Sequence, residues 1–144
     1  IYKKMKQFVV KVYTPRGLVL EKSTDYLRLP GKSGDIGVSY DHTPSLVQCI
    51  EGEMILKTSN HTHGFFLTEA MAYIAKEDVV LIVNNLEPIE TIDKKRAESS
   101  KERALKRLDD ARLNQTNDID IERAKKSLNR AELRLEVSIK HQIG

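Results

Sequence analysis

The sequence predicts an α+β protein in two parts: an antiparallel β-sandwich or barrel over residues 1–90, then an antiparallel two-helix hairpin over residues 91–144. Three observations carry that expectation. All four prolines, all eight aromatic residues and six of the seven glycines fall in residues 1–90, leaving only Gly144 beyond. Apolar residues recur at period two in the first part and near period 3.6 in the second. Charged residues number 21 in the first 90 positions and 24 in the last 54, and the balance moves from 10 basic and 11 acidic groups to 14 and 10. A composition that changes this abruptly marks two architectures joined near Pro88.

The strands follow one another at short intervals. Residues 7–14 place Phe8, Val10 and Val12 on one face, as a half-buried strand requires. Pro15-Arg16-Gly17 supplies a turn before Leu18-Val19-Leu20. A further run over residues 25–29 stops at Pro30-Gly31, and Glu51-Gly52-Glu53 separates residues 46–50 from 54–57. Ser59-Asn60 leads into residues 63–68 and 70–75, and Glu77-Asp78 into residues 79–83. Regularly spaced short strands with turn chemistry between them give a sandwich or barrel.

Two helices follow. Thr91 or Asp93 can cap the first, which runs to about Leu113 with Ala97, Ala104, Leu108 and Ala111 on one side. Asn114-Gln115-Thr116-Asn117 is a polar break, after which Asp118 or Asp120 can cap a second helix. That helix aligns Ile121, Ala124, Leu128, Ala131, Leu135 and Ile139. The stripe is thin and rich in alanine. Burying a Leu or Ile is worth about 1.5–3 kcal/mol, while each ordered residue costs about 1–2 kcal/mol of backbone entropy. The hairpin is therefore expected to be marginal alone, and to need a surface, a ligand or a partner.

Composition and spacing exclude several classes of chemistry. A formal charge of only +3 gives no whole-chain case for nucleic acid or an acidic membrane surface. One cysteine, Cys49, permits no internal disulfide and fits a reducing compartment. It lies among Leu46, Val47 and Ile50, where a buried, inert thiol is expected. No apolar run approaches the roughly 18 residues of a membrane span; a soluble, cytosolic chain is the expectation. Gly31-Lys32-Ser33 lacks the glycine a phosphate loop needs five positions earlier, where Tyr26 stands. His61 and His63 read as a hairpin tip without a third metal ligand, and Ser45 has no activating base.

The arginines of the tail are more informative. On a solvated helix each Arg ordinarily has an acid three or four positions away. Arg107 has Asp110, Arg112 has Asp109, Arg123 has Asp120 and Arg96 has Asp93. At those spacings Arg103 has only Ser99, Ser100, Lys106 and Arg107; Arg130 has Lys126, Ser127, Leu133 and Arg134; and Arg134 has Arg130, Ala131, Val137 and Ser138. Folding the hairpin can set Arg96 and Arg103 opposite Arg134 and Arg130. Four guanidinium groups so arranged suit a polyphosphate, because Arg binds phosphate oxygens in bidentate fashion. Otherwise they hydrate or meet acids on a partner protein.

A β-rich part followed by an Ala/Arg-rich hairpin, joined by Ile92-Asp93-Lys94-Lys95-Arg96-Ala97, resembles the epsilon subunit of bacterial F-type ATP synthases. So do Val12-Tyr13-Thr14-Pro15-Arg16-Gly17, the loop Gly34-Asp35-Ile36-Gly37 with His42-Thr43-Pro44, and Gly64-Phe65-Phe66. The resemblance covers the chain from Met5. One departure is Val38-Ser39-Tyr40, where the family has Ile-Leu-Pro.

The resemblance implies a rotor subunit without a catalytic centre or required cofactor. Its sandwich would bind the gamma subunit and the c-ring, with Asp35 and His42 at that interface. Its hairpin would lie compact or extend into the alpha/beta catalytic hexamer, where it inhibits ATP hydrolysis. The family's I/L-D-x-x-R-A motif marks members whose compact hairpin binds ATP as a regulatory ligand. It is matched by Ile92, Asp93, Arg96 and Ala97, with the family's acidic residue at Glu87 and its further arginines at Arg103, Arg130 and Arg134. The position implied is peripheral, on the cytoplasmic face of the bacterial cell membrane and without insertion into it. The alternatives are an epsilon subunit that inhibits without sensing nucleotide and, more remotely, a nucleic-acid-binding module. Against the latter stand ten acidic groups in the tail and the absence of a stacking aromatic there.

Overall fold

In the computed structural model, residues 6–114 and 118–142 are described. The chain divides between Pro88 and Ile89, two residues before the expected boundary. In the first unit the strands are β1 (Phe8–Thr14), β2 (Gly17–Thr24), β3 (Tyr26–Gly31), β4 (Gly34–Val38) and β5 (Ser45–Cys49). They continue with β6 (Gly52–Lys57), β7 (Thr62–Leu67), β8 (Ala70–Ile74), β9 (Asp78–Val83) and β10 (Leu86–Pro88).

These strands join in one sheet in the order β10-β7-β6-β3-β5-β8-β9-β1-β2, with β4 also paired to β3. All described pairs are antiparallel except β1 with β9, where Val9 lies beside Asp78 and Tyr13 beside Ile82. The sheet wraps over a single core. Phe8, Val10 and Val12 from β1 meet Leu27 and Leu29 from β3, Met54 and Leu56 from β6, and Val79 and Leu81 from β9. The alternation in residues 7–14 thus places one face inside, as period two demands. The one buried polar side chain of this unit among the described residues, Thr24, gives its hydroxyl hydrogen to the carbonyls of Tyr26 (3.0 Å) and Lys57 (2.8 Å).

Two strands were not expected. β4 contains Gly34, Asp35 and Gly37, which disfavour strands locally, but five register partners on β3 carry it. The glycine-rich segment before it is a tight turn. Gly34 has φ +126°, and a Cβ at Gly31 would lie 2.6 Å from the Gly34 carbonyl oxygen. β10 is only three residues long and pairs with β7.

The second unit opens with a 3-10 turn over Ile89–Thr91, followed by α1 (Lys94–Leu113) and α2 (Asp118–Gln142). Of the two expected caps for α1, Asp93 is the one used: its carboxylate accepts the backbone N–H groups of Lys95 (3.0 Å) and Arg96 (3.3 Å). This satisfies donors that the first helical turn would otherwise leave open. At the other end, Asn114 N–H donates to the Asp110 carbonyl at 3.0 Å. Residues 115–117 of the expected polar break lie outside the described residues, as does the Asp118 side chain. Ala97, Ala104 and Leu108 are buried on α1, and Ala131, Val137 and Ser138 on α2. Ala111, Ile121, Ala124, Leu128, Leu135 and Ile139 are half-buried. The apolar stripe is as thin as the sequence implies.

Candidate functional site

Ser100, Arg103, Ala104 and Arg107 occur on α1 at i, i+3, i+4 and i+7, and Ser127, Arg130, Ala131 and Arg134 occupy the same spacings on α2. Side chains so spaced share one helix face. The paired helices turn these faces toward each other, and the eight residues line a cleft of about 300 Å³. The two alanines keep its floor low, while four guanidinium groups and two hydroxyls form its walls. No carboxylate lies among the described residues lining it. Arg103 Nη2 donates to Ser100 Oγ at 3.2 Å, which fixes one guanidinium along its own helix.

A guanidinium stays protonated at any physiological pH. The cleft therefore concentrates four positive charges in a volume at the lower end of the small-molecule range. An anion with several oxygens answers both the charge and the fork geometry of the donors. Among the described residues lining the cleft, neither serine shares it with a carboxylate or histidine.

Three of the expected arginines, Arg103, Arg130 and Arg134, are brought together here. Arg96 is not among the lining residues; it is exposed in the first turn of α1. Ile92 and Ala97 are buried at the same end of that helix, and Asp93 caps it. Glu87 lies on β10 of the first unit, opposite Phe66. Arg107 was missed because Asp110 gave it a local counter-charge. The signal that would have found it is the run Ser-x-x-Arg-Ala-x-x-Arg, present at residues 100–107 and again at 127–134.

The sandwich carries a second candidate surface. Leu46 and Tyr73 face each other across β5 and β8, and Ile82, Tyr13 and Leu18 continue along β9, β1 and β2. All five are exposed, from 38% for Tyr13 to 62% for Leu46. Together they form an outward apolar face of the kind that marks a protein contact. Its sequence signal is Val79-Val80-Leu81-Ile82-Val83, apolar at every position, where one-sided burial would alternate. Asp35 is exposed on β4, and His42 is half-buried in the loop before β5 with Nδ1 2.7 Å from the Thr43 carbonyl.

The remaining sequence candidates have structural roles. His63 Nε2 receives a hydrogen bond from Lys22 Nζ at 2.7 Å. Cys49 is fully buried, and desolvation pushes its thiol up to about 11.

Comparison with known proteins covers both units. Residues 7–89 match the family described as ATP synthase, Delta/Epsilon chain, beta-sandwich domain. Residues 90–138 match ATP synthase, Delta/Epsilon chain, long alpha-helix domain. The ATP synthase epsilon chain of Nitratidesulfovibrio vulgaris is 33% identical over 132 residues, covering 92% of this chain and 96% of that one. That of Ligilactobacillus salivarius is 35% identical over 130 residues, covering 90% and 93%. A chain in the cryo-EM structure of the Euglena gracilis mitochondrial ATP synthase (OSCP/F1/c-ring, rotational state 1) shares the fold at TM-score 0.79 and 14% identity. That match covers 95% of this chain and 84% of that one.

Proposed function

The chain belongs to the ATP synthase delta/epsilon family as an epsilon chain, a non-catalytic stalk component, and from that premise we propose a division of labour between its parts. The sandwich docks on the rotor, using its apolar outer face against the gamma subunit and the Asp35–His42 region against the c-ring. Burial of Leu46, Tyr73 and Ile82, now about half exposed or more, supplies the driving force. The hairpin inhibits ATP hydrolysis by extending into the alpha/beta hexamer, and ATP bound to the paired helices holds it back from that state. On this reading the chain sits peripherally on the cytoplasmic face of the membrane. No helix among the described residues is long and apolar enough to cross one.

The observation that carries nucleotide sensing is the four-arginine cleft. The adenine rests near Ile92 and Ala97, and the phosphates run along the cleft. Binding stabilises the paired helices by about 2.7 kcal/mol at a hundredfold excess of ATP over Kd. That suffices to shift a marginal two-state element. Replacing Arg103 and Arg134 together with alanine is expected to abolish calorimetric ATP binding by the full chain while leaving its helical content intact. Undiminished affinity in that double variant would refute the assignment.

One observation favours the reading without sensing. The Asp93 carboxylate is already engaged by two backbone N–H groups at the start of α1, so the motif's acid has a structural task that needs no nucleotide. The same titration separates the two readings.

A further inference from the structure

The two helices of the hairpin repeat one sequence. Ile-Asp-x-x-Arg-Ala-x-x-Ser-x-x-Arg-Ala-x-x-Arg begins at Ile92 and again at Ile119, 27 residues later. Within that repeat Arg103 corresponds to Arg130, and Arg107 to Arg134. The two helices pack as an antiparallel pair, and the lining residues are the same four positions of each copy. The cleft is therefore close to two-fold symmetric in its chemistry. A guanidinium at one end, Arg134, has its counterpart at the other, Arg107.

That symmetry orders the charges along the hairpin. On α1, Arg96 lies nearest the helix start, Arg103 seven residues on, and Arg107 four residues further toward the turn between the helices. At about 1.5 Å of rise per residue, Arg107 stands roughly 6 Å beyond Arg103. On α2, Arg134 lies toward the open end and Arg130 toward the turn. A phosphate chain that enters from the Ile92 end meets Arg134 and Arg103 first. Its terminal group reaches Arg107 last.

We propose that Arg107 is a specificity-determining residue of this cleft, a fourth phosphate-binding guanidinium that contacts the terminal phosphate of a nucleoside triphosphate and so separates it from the diphosphate. The inference rests on the nucleotide reading given above, and on the repeat and the lining for the choice of residue. The diphosphate stops short of Arg107 and gains nothing from it. A charge-assisted pair of hydrogen bonds in a partly open cleft corresponds to roughly a tenfold change in affinity.

The test is calorimetric titration of the full chain with ATP, ADP and inorganic tripolyphosphate, in the native sequence and in Arg107→Gln and Arg107→Lys. The Gln variant is expected to lose about tenfold in ATP affinity and less than twofold in ADP affinity, so that the ATP-to-ADP preference falls about tenfold. The Lys variant, which keeps the charge but loses the fork, should fall between. Arg107 is exposed, so both variants should keep their helical signal. Native-like preference in the Gln variant, or equal losses for ATP and ADP, overturns the proposal and leaves nucleotide binding standing. Tripolyphosphate binding that depends on Arg107, without any ATP binding, supports the fourth guanidinium and removes the nucleotide reading. Binding of none of the three probes removes both.

Discussion

In the sandwich, Val10, Val12, Leu27, Leu29 and Leu81 have no exposed surface and belong to one core fed by most of the strands. In the helices of the hairpin, three of the six buried positions among the described residues are alanines, and Leu108 is the one buried leucine. The sandwich holds charge near balance, whereas the hairpin gathers four arginines along one cleft. One region places its stability in apolar burial. The other keeps apolar burial low and gathers like charge, two conditions that the proposed anion site requires. Apolar burial and clustered charge are thus separated within a chain of 144 residues.

If the sandwich folds independently of the hairpin, it survives the hairpin's removal. Ending the chain after Glu90 is expected to remove ATP binding entirely and to relieve inhibition of hydrolysis in the assembled complex. The remaining sandwich should still melt cooperatively. An unchanged hydrolysis rate would mean that the inhibitory element lies elsewhere.

A second test removes one side chain from the sandwich core. Leu29→Ala in the sandwich core should cost about 2–5 kcal/mol in denaturant unfolding, because a cavity opens among side chains with no room to collapse. ATP affinity should be unaltered. A loss below 1 kcal/mol would contradict the picture of a close-packed core.

The third test sharpens the contrast through pH. Burial keeps the Cys49 thiol neutral in the fold up to about 11, against an ordinary value of 9.0. The unfolded chain releases that proton first as pH rises, so the folded state binds more protons and stability falls. The stability held below pH 9 should decline between pH 9 and about 11, by up to about 3 kcal/mol from this group. Denaturant unfolding of Cys49→Ala should lack this share of the slope. Equal slopes in the two proteins would place the thiol outside the core.

The fold is legible in the sequence where local pattern and tertiary environment agree. Phe8, Val10 and Val12 alternate because one face of β1 is inside, and the end of α1 at Leu113 coincides with loss of the helical stripe. β4 was illegible because its glycines and Asp35 argue for a loop, and only pairing with β3 makes it a strand. The outer apolar face was also missed, since exposure of Leu46 and Tyr73 follows from register across β5 and β8 and not from either strand alone. In the cleft, Arg103, Arg130 and Arg134 were visible through their local lack of acids in sequence. Arg107 was hidden by Asp110, although the repeated Ser-x-x-Arg-Ala-x-x-Arg marks it.

Hydrogen exchange of the full chain, with and without saturating ATP, tests the central contrast most directly. At a hundredfold excess over Kd, amides of α1 and α2 should exchange about a hundredfold more slowly than in the free protein, while those of β1, β3 and β9 stay unchanged. Helices already as protected as the core strands in free protein, or indifferent to ATP, would contradict a marginal hairpin held by a triphosphate.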